Sequence, residues 1–139
     1  MKKFNLVLAT LAIITIGSAF AEVNLEQYGF YHTQVNRLNS VTAFEQAIAS
    51  DALIFVKIGA SWCKPCRQLE PIVHQLAIEY PQILFIEVNL DTFRSLASRY
   101  GVRSIPTVLL FKQGALVSKT TGFKAKHFWI NTIKNTFDL

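Results

Sequence analysis

Residues 52–66 place the tightest constraint on the fold. Ala52-Leu53-Ile54-Phe55-Val56-Lys57-Ile58-Gly59 is an apolar, β-branched run of strand length. It is followed by Ser61-Trp62-Cys63-Lys64-Pro65-Cys66, after which Leu69, Ile72, Val73, Leu76 and Ala77 recur at helical spacing. The only two cysteines of the chain therefore fall where a strand gives way to a helix, with Cys63 at the mouth of that helix and Cys66 one turn in. The unpaired N–H groups of a first helical turn and the positive end of the helix dipole favour a thiolate at Cys63. Lys64 adds a positive charge beside it. The thiolate is the species that attacks disulfides, so this placement points to redox chemistry.

Two other uses of a Cys-x-x-Cys pair compete with that reading. Structural zinc takes four ligands, and the remaining candidates, His32, His74 and His127, are far apart in sequence. A purely structural bridge across this spacing closes a very small loop and constrains the unfolded chain little. Thiol–disulfide exchange is the better use of the pair, and it needs no metal or organic cofactor.

At 139 residues the chain fits one domain, and half of it is hydrophobic, with eleven Phe. Part of that apolar excess belongs to the N-terminus. Met1-Lys2-Lys3 is basic, Phe4 to Ile16 is apolar apart from Asn5, Thr10 and Thr15, and Gly17-Ser18-Ala19-Phe20-Ala21 ends on small residues. This three-part pattern is that of a secretory signal peptide over residues 1–21, with cleavage expected after Ala21. A retained membrane helix is the alternative, but the run is short of the roughly 20 residues a span requires, and no positive cluster follows it. The short Lys-Lys-led leader looks bacterial, so a periplasmic destination is expected, where a cysteine pair meets oxidising conditions. Without Lys2 and Lys3 the net charge falls from +5 to +3, and the remaining cations are scattered. No nucleic-acid footprint is present.

Residues 22–40 show weak periodicity and are read as an N-terminal extension or edge strand, through Tyr28, Phe30, Tyr31 and Val35. A helix is expected from Thr42 to Ser50, opened by a capping box at Thr42-Ala43-Phe44-Glu45. The helix after the cysteines should reach Tyr80, with Pro71 inside it. Gln82 to Asn89 reads as a strand buried on both faces. A short helix over Thr92 to Tyr100 ends at Gly101. Val108 to Phe111 and Leu116 to Thr121 are strands joined by a hairpin turn at Lys112-Gln113-Gly114-Ala115. A last helix covers Lys124 to Thr136, with Phe128, Ile130, Ile133 and Phe137 as its apolar positions. This order implies an α/β domain over residues 41–139, with a central mixed sheet flanked by helices on both faces.

These residues resemble the thioredoxin family over Val41 to Phe137. The resemblance rests on Trp62-Cys63-x-Pro65-Cys66, Pro71, Asn89-x-Asp91, Ile105-Pro106-Thr107, Phe111-Lys112-x-Gly114 and Gly122. It implies the thioredoxin fold and a thiol–disulfide oxidoreductase, with Cys63 as the attacking thiol and Cys66 as the resolving one. Pro106 is implied to be the family's cis-proline facing the disulfide, and the backbone at Ile105 to pair with an extended substrate segment. Ile105, Gly122 and Phe123 would then form an apolar substrate surface. Trp62 would pack beside the site, and Pro65 would limit the helix start, where proline is acceptable.

The departures from the family pattern are as informative. Lys64 stands where the family usually has Gly. Either its charge stabilises the Cys63 thiolate and makes the couple more oxidising, or it is solvated and screened. Gly59 replaces a large aromatic. Lys57 stands where the family carries a buried Asp that moves the resolving cysteine's proton, and Glu87 stands where it carries Lys. The swapped pair is expected to be partly buried together behind Cys66, since burial resists an unpaired charge; otherwise both residues point outward and are inert.

The expected activity is reduction or exchange of disulfides in protein substrates. A membrane thiol–disulfide partner would donate or accept electrons, and nothing in the sequence suggests a dimerisation element, so a monomer is expected. A disulfide-forming oxidase and a redox-inert binding module on the same fold are the alternatives.

Overall fold

The computed structural model describes residues 23–139; the leader and its cleavage point lie outside the described residues. The apolar run of residues 53–59 forms β2 (Leu53–Gly59), the centre of the molecule, and side chains there alternate between two cores. Ile54, Val56 and Ile58 face one of them, with Phe30, Phe44, Leu96 and Phe111. Phe55 faces the other, with Leu69, Val73, Leu76, Trp129 and Ile133. Both cores are closed to solvent, which explains why β2 reads as a continuous hydrophobic run rather than an alternating one.

Five strands build one sheet in the order β1-β3-β2-β4-β5, where β1 is Val35–Arg37, β3 Ile83–Asn89, β4 Thr107–Lys112 and β5 Ala115–Thr121. The β1, β3 and β2 strands run parallel, while β4 is antiparallel to β2 and β5 to β4. Helices α1 (Val41–Ala49) and α3 (Arg94–Arg99) cover one face, and α2 (Lys64–Glu79) and α4 (Lys126–Phe137) the other. The β4–β5 hairpin closes through Gln113 and Gly114, both at positive φ (51° and 77°), the backbone a two-residue turn between right-twisted strands requires. Among the described residues no helix is long and apolar enough to cross a membrane.

Helices α1 and α4 differ locally from the sequence reading. Helix α1 begins one residue earlier than expected and is capped by Ser40, whose Oγ accepts the Ala43 N–H at 3.1 Å, so the capping box at Thr42 does not form. In α4 the central buried side chain is Trp129, fully enclosed and edge-on to Phe55, whereas Ile130 is only partly buried. The indole N–H of Trp129 is satisfied by the Lys124 carbonyl at 3.1 Å. Residues 23–40 contribute a 3₁₀ turn (Leu25–Tyr28) and the edge strand β1. Buried Asn36 fastens this stretch, donating from Nδ2 to the carbonyls of Tyr31 and Phe85 and accepting the Tyr31 N–H at Oδ1.

Candidate active site

The end of β2 delivers the chain to the two cysteines. After Gly59 it turns through Ala60, Ser61 and Trp62, and Cys63 then serves as the N-cap of α2, its Sγ accepting the Cys66 N–H at 3.3 Å. Pro65 sits in the first turn, where its missing N–H costs nothing. Cys63 and Cys66 are joined as a disulfide with Cα atoms 5.2 Å apart, and both are buried. Pro71 lies farther along α2.

On the Cys63 side the bridge meets the loop before β4. The Ile105–Pro106 peptide is cis, and the Ile105 carbonyl oxygen lies 3.9 Å from Cys63 Sγ. The Ile105 N–H and carbonyl form no backbone hydrogen bond among the described residues. Behind this loop the Gly122 N–H donates to the Pro106 carbonyl at 2.8 Å, with Gly122 at a φ of 89°. Thr107, the residue after the proline, is fully buried and donates its hydroxyl to the Ser104 carbonyl. Phe123 and Trp62 are large apolar side chains left in solvent around this side, Trp62 being 64% exposed. The Trp62 indole N–H is held by Asp91 at 2.9 Å. Lys64 is exposed.

On the Cys66 side the sheet face carries charge. The alternation that directs Phe55 toward α2 directs Lys57 and Gly59 the same way, and on β3 it does the same for Phe85 and Glu87. Lys57 and Glu87 are register partners on adjacent strands, and their side chains form an ion pair at 2.9 Å. The Lys57 side chain is 3% exposed and that of Glu87 22%, so the lysine is buried and its glutamate partner partly buried. A side-chain carbon at Gly59 would lie 3.2 Å from both Cβ and Sγ of Cys66 and 3.4 Å from Lys57 Cε, so the lysine stem and the Cys66 sulfur both approach the glycine closely.

The structure therefore brings Trp62, Cys63, Lys64, Pro65, Cys66, Ile105 and Pro106 around one bridge, with Gly122 behind the proline loop. Lys57 and Glu87 lie beneath it, and Phe123 stands exposed in the chain next to Gly122. Three other residues shape the site: Asp91, quoted above only as part of a motif, and Arg67 and Arg37, which the sequence pattern does not single out. Asp91 anchors Trp62, Arg67 ties α2 to the Ser61 carbonyl through Nη1 at 2.8 Å, and Arg37 lies beside Glu87 in the β1–β3 register. Arg37 gives no sequence signal because β1 is too short to show a period.

A strand-to-helix Cys-x-x-Cys disulfide facing an X-Pro loop on a mixed five-stranded sheet defines a thiol–disulfide oxidoreductase. The comparisons with known proteins agree. The family model described as Thioredoxin matches residues 35–135. Thioredoxin of Chlamydia pneumoniae is 43% identical over 90 residues, 65% of this chain and 87% of that one. Human thioredoxin is 37% identical over 90 residues, covering 63% and 86% of the two chains. The structure of a mutant thioredoxin from Halobacterium salinarum superposes with a TM-score of 0.73 at 27% identity, across 78% of this chain and 96% of the other. The chain belongs to the thioredoxin family, and its activity is thiol–disulfide exchange.

Proposed function

We propose that the chain is an exported reductase of protein disulfides that works through Cys63 and Cys66. The observation that carries this reading is the Ile105 backbone, uncommitted and 3.9 Å from Cys63 Sγ, where an extended substrate segment can pair and align its disulfide. The Cys63 thiolate, favoured by the α2 N-terminus, attacks one substrate sulfur, and the other substrate sulfur leaves as a thiolate. The Cys66 thiolate then attacks Cys63 Sγ, releasing the dithiol substrate and leaving the Cys63–Cys66 disulfide. Trp62 and Phe123 extend the apolar surface on which the segment lies, and Gly122 braces the Pro106 loop.

The proton of Cys66 leaves through the pair beneath it: Glu87, directly or through water, accepts it, and the Lys57 cation favours the thiolate that remains. Lys64, in solvent, acts weakly because its charge is screened.

Residues 1–21 direct export and are removed after Ala21, and the folded domain works in the periplasm as a monomer. A reducing role there needs electrons from a membrane thiol–disulfide partner. A second reading, a disulfide-forming oxidase, is favoured by the buried Lys57 cation, because stabilising a cysteine thiolate raises the couple's potential. A redox-inert module has no need of the dithiol and is the weakest reading.

The reduction potential of the Cys63–Cys66 couple, equilibrated in dithiothreitol or glutathione buffers and followed by Trp62 fluorescence, separates the three. A potential well below that of glutathione is expected. One well above it makes the chain an oxidase, and no reversible couple makes it a non-catalytic module.

A further inference from the structure

The loop that carries Ile105 is short of main-chain partners. Helix α3 closes with the Gly101 N–H donating to the Ser98 carbonyl at 3.1 Å and the Val102 N–H to the Ala97 carbonyl at 2.8 Å, Gly101 standing at a φ of 61°. Beyond this closure Arg103, Ser104 and Ile105 form no backbone–backbone hydrogen bond among the described residues. Pro106 then leads into β4. The main chain that offers Ile105 to a substrate is thus fixed at its two ends.

Both ends are fastened to β5 and the residue after it. At the Pro106 end the Gly122 N–H donates to the Pro106 carbonyl at 2.8 Å. The Thr107 hydroxyl gives its one hydrogen to the Ser104 carbonyl at 2.6 Å, so the Thr121 hydroxyl, 3.2 Å away, donates to Thr107. At the α3 end the tie is a single side chain. Lys119 Nζ donates to the Tyr100 carbonyl at 2.9 Å and to the Gly101 carbonyl at 2.7 Å. Lysine is suited to this place, because the last carbonyls of a helix lack partners within it. Lys119 pairs in register with Leu109, which faces the core beneath α1 and α3, so its side chain is directed to the face on which α3 lies. Among the described residues it forms no ion pair, and these two carbonyls are its hydrogen-bond acceptors.

We infer that Lys119 is a positioning residue for protein substrates: it fixes the start of the loop, and through the loop the place of the Ile105 backbone beside Cys63. The inference rests on the reading of this site as one that pairs with an extended protein segment. Lys119 touches no reacting atom. Without its ammonium group the Tyr100 and Gly101 carbonyls turn to water, and the loop is held from the Pro106 end alone. Ile105 then spends a smaller fraction of its time in the position that pairs with substrate, and the apparent affinity falls by that fraction. The two sulfurs keep their surroundings, because β2 and α2 place them. A disulfide too small to pair with the Ile105 backbone does not depend on the loop.

The test compares Lys119→Met, which keeps an unbranched stem and removes the donor, with Lys119→Arg, which restores a donor and the charge. Lys119 is exposed, so both variants should fold. Each protein is reduced, mixed with insulin as a protein disulfide or with hydroxyethyl disulfide as a small one, and its oxidation is followed by Trp62 fluorescence. Lys119→Met should raise the half-saturating concentration of insulin about fivefold, the worth of one net hydrogen bond. The limiting rate, the rate with hydroxyethyl disulfide and the reduction potential should not change, and Lys119→Arg should recover most of the loss. The loss should persist in about 0.5 M salt, where attraction between distant charges is screened. An unchanged half-saturating concentration, an equal loss with both disulfides, no recovery in Lys119→Arg, or a loss that vanishes in salt overturns the inference. Failure of the wild-type protein to reduce insulin would instead overturn the oxidoreductase reading beneath it.

Discussion

On the side of Cys63 the bridge faces an uncommitted peptide backbone and exposed aromatic rings, whereas on the side of Cys66 it faces a paired lysine and glutamate under a glycine. The first side is built for shape and main-chain pairing. The second is built for charge. Two sulfurs three residues apart thus experience different surroundings, which suits a nucleophile that must meet varied substrates and a partner that must gain and lose a proton in a protected place.

The comparison can be broken most forcefully at the pair. Lys57→Met leaves Glu87 partly buried without a counter-charge and should destabilise the fold by about 3 kcal/mol, read from urea unfolding. Replacing both residues together, as Lys57→Met with Glu87→Leu, should recover most of that loss, because an apolar pair of similar size removes both desolvation costs. Failure to recover would mean that the pair stabilises the sheet beyond its own charges. Glu87→Gln keeps the volume and should slow the resolving step with little change in the initial attack; an unchanged pH profile of that step would show that Glu87 carries no proton.

Changes on the Cys63 side should act on substrate recognition more than on stability. Gly122→Ala forces a side chain into positive φ and should cost about 1 kcal/mol, with a raised KM for protein disulfides measured in the same variant. Phe123→Ala should leave unfolding unchanged, since the ring is 42% exposed, and raise KM alone. The smallest effect belongs to Lys64→Gly: an exposed, screened charge should move the reduction potential little, and a large shift would transfer the tuning of the couple from Lys57 to Lys64.

The Cys63 side is the more legible in the sequence. A buried strand, a Cys pair and a helical period announce themselves locally, and Ile105-Pro106 is a contiguous motif. The Cys66 side depends on register. Lys57 and Glu87 are thirty residues apart, and only the parallel pairing of β2 with β3 makes them neighbours. The family resemblance leads to the expectation that they meet, but Arg37 stays hidden because three residues of β1 carry no readable alternation. The helix ends shift for a similar reason. Ser40 and Thr42 are both fit to cap α1, and packing of Phe44 and Ala47 into the core decides between them. Trp129 does not stand out in the sequence because Ile130 beside it fits a helical face equally well until α4 is docked on Phe55.

The measurement that tests the central claim most directly is the capture of protein mixed disulfides by the two single-cysteine variants. Cys66→Ser should accumulate protein substrates on Cys63, because nothing remains to resolve the bond. Cys63→Ser should accumulate none, because Cys66 lies buried on the side that proteins do not reach. Equal capture by both variants, or capture on Cys66 alone, would contradict the division of the bridge into a side for proteins and a side for charge.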